Sequence, residues 1–218
     1  MQAAQGDHPV LGRHRASYSY AFPRNLIWRD VGPPLNLYDS GFTYVREKTR
    51  YTIGYDDVWA VKAHVVVYKL YGVIESGGEQ RYDIMTSSRT IRLDERIVRV
   101  DDAYRRISEE VLIRLLPRYS HAFDRGELLT FGKFQVTSTV LSYDAKSISW
   151  KDLDFIELNN GHLRIHIPPK GIGSTGTPHR EAWLHDPTTW AYVPLDEIPN
   201  APILLELIDR TVGLARKR

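Results

Sequence analysis

The 218-residue sequence contains no cysteine. That removes disulfides, thiolate zinc sites, cysteine-ligated iron–sulfur clusters and a cysteine nucleophile at once, and it fits a reducing compartment. No apolar run approaches the roughly 20 residues that a membrane-spanning helix needs. The opening stretch, MQAAQGDHPVLGRHR, has no apolar core of the kind a secretory signal uses. An excess of one charge is missing too: 29 Lys+Arg stand against 27 Asp+Glu, and residues 1–125 hold 19 of the former and 16 of the latter. Neither half is basic enough to act as a general phosphate binder, so nucleic acid is not an expected partner. The expected location is cytoplasmic, with peripheral attachment at the inner face of the membrane as an alternative.

Catalytic signatures are absent as well. There is no serine elbow, no metal-ligand cluster and no carboxylate pair in a cleft context, so no catalytic residue, metal or cofactor is assigned and the chain is read as a non-enzymatic binding or scaffolding protein, with an enzyme of unrecognised type as the last alternative. Asp56-Asp57 and Asp101-Asp102 read as turn and cap residues, because a short carboxylate accepts free backbone N–H groups. Gly171 to Gly176 spells a dinucleotide fingerprint, but Pro168-Pro169 and Thr177-Pro178 exclude the strand and helix that the motif needs. His162 and His166 alternate with Leu163, Ile165 and Ile167 on a strand, about 13 Å apart, too far for one metal ion. They are expected to face solvent.

What is present is strand pattern. Residues 1–12 are broken by Gly6, Pro9 and Gly12 and read as disordered, while Arg15 to Phe22 alternates and reads as a strand. From Leu35 to about Arg92 short apolar, β-branched segments alternate with turns such as Asp39-Ser40-Gly41 and Ser76-Gly77-Gly78. The period then changes. Ala103, Ile107, Val111 and Leu115 fall four apart, with Leu112 and Leu116 alongside, which gives one apolar helix face after Asp101-Asp102. The second half repeats this plan, with strands from Leu128, a hairpin signal at Asn159-Asn160-Gly161 and a final helix from about Asp196 to Leu214. An offset of 95 residues lays the halves over each other: Val45 on Val140, Ile53 on Ile148, Tyr55 on Trp150, Asp57 on Asp152, Val58 on Leu153, Val61 on Ile156, and Leu112-Ile113 on Leu207-Ile208. Tyr55 and Trp150 read as core residues.

The expected organisation is an N-terminal extension over 1–33 that adds at most one strand, a first module over 34–125 and a second over 126–218. A run of strands followed by one amphipathic helix must use the helix to cover the open end of a sandwich or barrel. Tyr51 to Val58 and Ser147 to Leu153 resemble the "aromatic, two residues, aliphatic" turn of bacterial PH-like domains. With Leu11-Gly12, Tyr38-x-x-Gly41, Leu129-x-Phe131-Gly132 and Pro199-Asn200, the chain resembles an uncharacterised bacterial family of tandem PH-like (pleckstrin-homology-like) proteins. The resemblance implies a mainly β fold with C-terminal helices (α+β), as two tandem PH-like barrels or sandwiches, and brings no established activity.

Three surfaces stand out. Arg46, Lys48 and Arg50 alternate on a hairpin and are expected to form one cationic face for an anionic ligand. Lys170, His179 and Arg180 bracket the glycine-rich loop, whose accessible N–H groups suit an anion or a peptide. His64 to Ile74 is apolar in both alternating sets, so Val65, Val67, Tyr71 and Val73 are expected to be covered on both sides, at a seam between modules or in a dimer. The expected partner is a protein or peptide, with an anionic lipid surface or phosphorylated headgroup as the alternative. The oligomeric state stays open.

Overall fold

The computed structural model describes residues 8–21, 33–46, 48–70, 74–159, 161–168 and 188–212. They fall into two compact units, one up to Pro117 and the other from Arg118. Among the described residues the fold is mainly β with two helices, as expected, and is built from four antiparallel sheets. None of these closes on itself among the described residues, so of the barrels or sandwiches anticipated from the sequence the closed barrel is not formed there.

In the first unit β1 (His14–Tyr18), β2 (Leu35–Tyr38), β3 (Gly41–Arg46) and β4 (Thr49–Gly54) form a four-stranded sheet in chain order. A 3-10 turn at Tyr55–Asp57 leads into β5 (Val58–Leu70), β6 (Ile74–Thr86) and β7 (Thr90–Asp94), the second sheet. Helix α1 (Val100–Asp124) follows. The second unit has the same order. A four-stranded sheet of β8 (Leu129–Phe131), β9 (Phe134–Val136), β10 (Val140–Tyr143) and β11 (Lys146–Ser149) precedes a 3-10 turn at Trp150–Asp152. Then come β12 (Phe155–Asn159), β13 (His162–His166), β14 (Thr189–Pro194) and helix α2 (Ala201–Val212).

Matching backbone details relate the two. Tyr55 N–H donates to the Ser40 carbonyl at 2.9 Å and Trp150 N–H to that of Thr139 at 3.4 Å. Gly54 and Ser149, which precede the two turns, share φ near −75° and ψ near 146° (−76/145 and −74/147). Arg99 and Asn200, each immediately before a helix, lie in the left-handed region at φ 57° and 52°. Tyr55 and Trp150 are buried, as expected of core residues, and Trp150 Nε1–H donates to the Thr137 carbonyl at 2.9 Å.

These landmarks correct the constant offset. It is 95 from Ile53 to Val61, but Ser40 matches Thr139 and the residues before the helices, Arg99 and Asn200, are 101 apart. Val140 is therefore the counterpart of Gly41, since each pairs with the residue before the turn (Ser149 and Gly54), and Val45 has no partner at Val140. Ile208 likewise matches Ile107; Ile113 is 68% exposed whereas Ile208 is fully buried. The cause is loop and hairpin length, which varies without disturbing the strand faces.

Helix α1 buries Ala103, Ile107, Val111 and Leu115, the face that the spacing indicates. It runs on past Pro117 to Asp124, and this last part belongs to the second unit, within which Tyr119 and Phe123 meet Phe131 and Trp150 at ring-centroid distances of 5.3 and 6.5 Å. Its first turn is tied to both sheets of the first unit. Tyr18 on β1 donates its hydroxyl to Asp102 at 2.8 Å, and Tyr82 on β6 donates to Asp101 at 2.7 Å. Burial, reinforced by Asp102, pushes the Tyr18 phenol up to about 12. Burial and then Asp101 raise Tyr82 as well. The Tyr18 hydrogen bond, with those from Arg105 and Arg106, holds Asp102 down to about 2. The helix dipole favours both carboxylates at this end.

Residues 8–12, expected to be disordered, instead form a closed turn. His8 and Gly12 exchange backbone hydrogen bonds at 2.8 and 2.9 Å, His8 Nδ1 accepts from the N–H groups of Val10 and Leu11, and Leu11 is buried. Gly12 takes φ 81°, which the turn needs and glycine supplies at little cost. Asn36 and Thr43 are buried polar residues on one face of the first sheet. Ser17 Oγ donates to Asn36 Oδ1 at 2.7 Å and Asn36 Nδ2 to Thr43 Oγ1 at 3.4 Å, which limits their desolvation cost.

Candidate functional site

A cleft of about 280 Å³ opens in the first unit between β4 and the β6–β7 turn. One wall is Tyr51, Thr52, Ile53 and Asp57; the other is Thr86, Ser87, Ser88 and Arg89. The turn is organised by Thr86. Its N–H donates to the Arg89 carbonyl at 2.8 Å, and its hydroxyl accepts from the Arg89 N–H at 3.2 Å and lies 3.3 Å from Ser88 Oγ. That arrangement aims Arg89 back across the cleft, where its guanidinium carbon sits 4.3 Å from the centre of the Tyr51 ring. A cation over an aromatic face at this distance is worth about 0.5–1 kcal/mol at an exposed site, enough to bias the side chain but not to lock it. Asp57 is the acidic group of the cleft, and it accepts the Gly54 N–H at 3.2 Å. Among the described residues neither Arg50 nor Arg89 nor Lys48 has an ion-pair partner.

Chemically this is a small, polar recess with one cation, Arg89, and one carboxylate, Asp57. No histidine lines it, and the Thr86 hydroxyl is engaged with Ser88 and the Arg89 backbone. Among the described residues no group of three His, Asp or Glu side chains could hold a metal ion. The phenols of Tyr44 and Tyr55 are raised by burial. Tyr55 lies beneath Arg114, at 5.0 Å, and serves as core.

The hairpin cations are placed differently from the expectation. Arg46 pairs with Thr49 and Arg50 with Val45, so the two arginines leave opposite faces of the hairpin, with Lys48 in the turn at φ 67°. Alternation along one strand does not survive a two-residue turn, and the single cationic face of Arg46, Lys48 and Arg50 is not formed. Lys170, His179 and Arg180 lie outside the described residues. The connection that carries them joins β13 to β14, the counterpart of the Thr86–Arg89 turn between β6 and β7. Val65 and Val67 are on β5, as a strand reading requires, but their side chains, and all of Tyr71 and Val73, lie outside the described residues, as does the Gly171 to Gly176 motif.

His162 and His166 share one face of the β12–β13–β14 sheet, yet His166 does not face solvent. It is 4% exposed, because the Phe155 ring stacks on it at 4.1 Å and Thr188 Oγ1 lies 3.3 Å from its Nδ1. His162 stacks on Tyr192 at 4.6 Å. The first unit has its own polar row: Asp83, nearly buried, meets His64 at 3.2 Å and Arg92 at 3.3 Å across β5, β6 and β7. Sequence reasoning missed Arg89 and Tyr51. The turn between Met85 and Thr90 is legible from Ser87-Ser88, but nothing local connects it to β4.

The model of a family of unknown function, DUF6585, matches residues 19–217. No curated protein matches the chain. The match takes in every strand and helix described above except β1, and the chain therefore belongs to the DUF6585 family, a family of unknown function.

Proposed function

We propose that this chain is a non-enzymatic binding protein of two PH-like modules that recognises a peptide or partner protein, with the first module's cleft as the contact. The succession of four strands, a 3-10 corner, three strands and a helix, present twice, supports the PH-like reading. The resemblance of Tyr51 to Val58 and Ser147 to Leu153 to bacterial PH-like turns points the same way. PH-like folds host unrelated roles, so the function rests on the site. The observation that carries it is the Arg89 guanidinium held over Tyr51 with no ion-pair partner among the described residues. Arginine and tyrosine are the residue types that dominate binding energy at protein contacts.

The test is selection from a phage-displayed peptide library on the wild-type chain, followed by titration of the recovered peptides into wild-type protein and the Arg89→Ala and Tyr51→Ala variants. The expected result is a family of peptides whose affinity falls about tenfold or more in either variant, the loss of about 1.4 kcal/mol that truncating one anchoring residue produces. Recovery of no peptide, or of peptides indifferent to both substitutions, overturns the reading. Co-sedimentation with phosphatidylserine vesicles that Arg89→Ala abolishes would assign the cleft to a membrane surface instead.

A further inference from the structure

The cleft runs along the edge of a strand. Its β4 wall consists of three consecutive residues, Tyr51, Thr52 and Ile53, whose side chains alternate between the two faces of the sheet, and β3 contributes none. Among the described residues β4 is the last strand of its sheet, paired with β3 alone, so the border is the free edge of β4. The phase of that edge is fixed by two hydrogen bonds. Gly54 N–H turns away from β3 and donates to Asp57 at 3.2 Å, while Tyr55 N–H turns toward Ser40 at 2.9 Å. In an antiparallel pair the direction alternates residue by residue, so Thr52 and Arg50, like Gly54, present N–H and C=O outward. Asp57 caps the outward group at Gly54, and among the described residues those of Thr52 and Arg50 have no such cap.

We infer that the cleft takes an extended acidic peptide, which adds to β4 as a further strand, bonding to the outward backbone groups of Arg50 and Thr52 and placing a carboxylate against Arg89. This rests on the proposed peptide-binding function and gives it a mode and a ligand class. An isolated edge strand is satisfied by water; here a second wall stands opposite it, at the Thr86–Arg89 turn, and encloses a strip of chain. Strand addition draws affinity from backbone bonds and specificity from alternate side chains. Charge complementarity selects the sign: Arg89 in the cleft, and Arg50 next to it on β4, lack ion-pair partners among the described residues, while the one lining carboxylate, Asp57, accepts the Gly54 N–H.

The experiment uses the isotope-labelled full chain and a capped heptapeptide probe, Thr-Val-Glu-Val-Glu-Val-Thr. Its lysine-for-glutamate version and a version N-methylated at alternate residues serve as controls. Expected are slowed hydrogen exchange at the Arg50 and Thr52 amides, binding at least tenfold tighter than either control, and a reversed preference for the lysine peptide in Arg89→Glu. Shifts confined to Tyr51 and Arg89, with unchanged exchange at Arg50 and Thr52, overturn strand addition and leave the cleft as a peptide site. No shift over residues 51–53 and 86–89 with any of the three peptides overturns both. Protection of the same two amides in peptide-free protein, growing with protein concentration, would place a second copy on the edge and overturn the peptide assignment.

Discussion

Replacing Tyr82 by Phe removes one oxygen and leaves everything else in place. The ring stays stacked on Tyr104, at 4.2 Å and 16°, and only the 2.7 Å hydrogen bond to Asp101 is lost. Hydrogen bonds to charged groups contribute about 1.5–3 kcal/mol, but Asp101 is exposed and water replaces the phenol, so the expected loss is about 1 kcal/mol. Tyr18→Phe removes the 2.8 Å bond to Asp102, whose carboxylate keeps Arg105 at 2.7 Å, and the expected loss is again about 1 kcal/mol. The two phenols come from different sheets and meet different carboxylates, so the double variant should lose about 2 kcal/mol in urea denaturation with an unchanged slope. The tie also has a pH signature. The Tyr18 phenol is raised from 10.0 to about 12, so its stabilisation is complete below pH 10 and is lost as pH rises toward 12. Asp102 is lowered from 3.8 to about 2, so its contribution is complete above pH 4 and is lost as pH falls toward 2. Tyrosinate absorbance should show the delayed alkaline titration, and Tyr18→Phe should remove one delayed group. Single variants within 0.3 kcal/mol of wild type, as an order-of-magnitude threshold, would refute the idea that these phenols fasten the helix to its sheets.

Two glycines should differ in what an added methyl group costs. A Cβ on Gly41 would lie 2.1 Å from the Ile53 carbonyl oxygen, so Gly41→Ala must part β3 from β4 and is expected to cost about 3 kcal/mol. Gly161→Ala meets no atom within 4 Å and bears only its left-handed φ of 74°, about 1–2 kcal/mol, a difference that thermal melts resolve. Arg99→Gly should stabilise by about 1 kcal/mol, by relieving the left-handed conformation at φ 57°. Its ion pair with Asp102, at 3.5 Å and 72% exposed on the arginine side, offsets little of this. Calorimetry showing a loss of stability would contradict that assignment of strain.

Periodicity and turn chemistry were enough to find the α1 face at Ala103, Ile107, Val111 and Leu115, the core roles of Tyr55 and Trp150, and the repeated plan. These signals are local, because side-chain direction follows from strand or helix geometry alone. The residues that went astray depend on distant partners. His166 lies on the anticipated face, but Phe155 covers it. Leu11, in a segment with the composition of a disordered tail, is held because His8 accepts two local N–H groups and its ring meets Tyr38 edge-on, 5.4 Å between centroids. Arg46 and Arg50 were grouped by counting in twos through a turn that resets the count. The contact between Arg89 and Tyr51 exists only once two sheets have formed, so no window of sequence contains it.

The two hairpins that end at the 3-10 corners differ in length by a fixed step. From the Gly41–Gly54 pair to the turn-closing Arg46–Thr49 pair β3 advances five residues; from Val140–Ser149 to Tyr143–Lys146 β10 advances three. A two-residue turn closes on a hydrogen-bonded pair, while the corner fixes its neighbouring pair as non-bonded. Only odd advances satisfy both ends, so such a hairpin grows or shrinks by two residues per strand. Relatives that keep both the corner and the tight turn should therefore differ here by multiples of four residues. The tip of each module is an extendable arm with discrete settings, and its reach can change while the corner and the strand faces below it stay as they are.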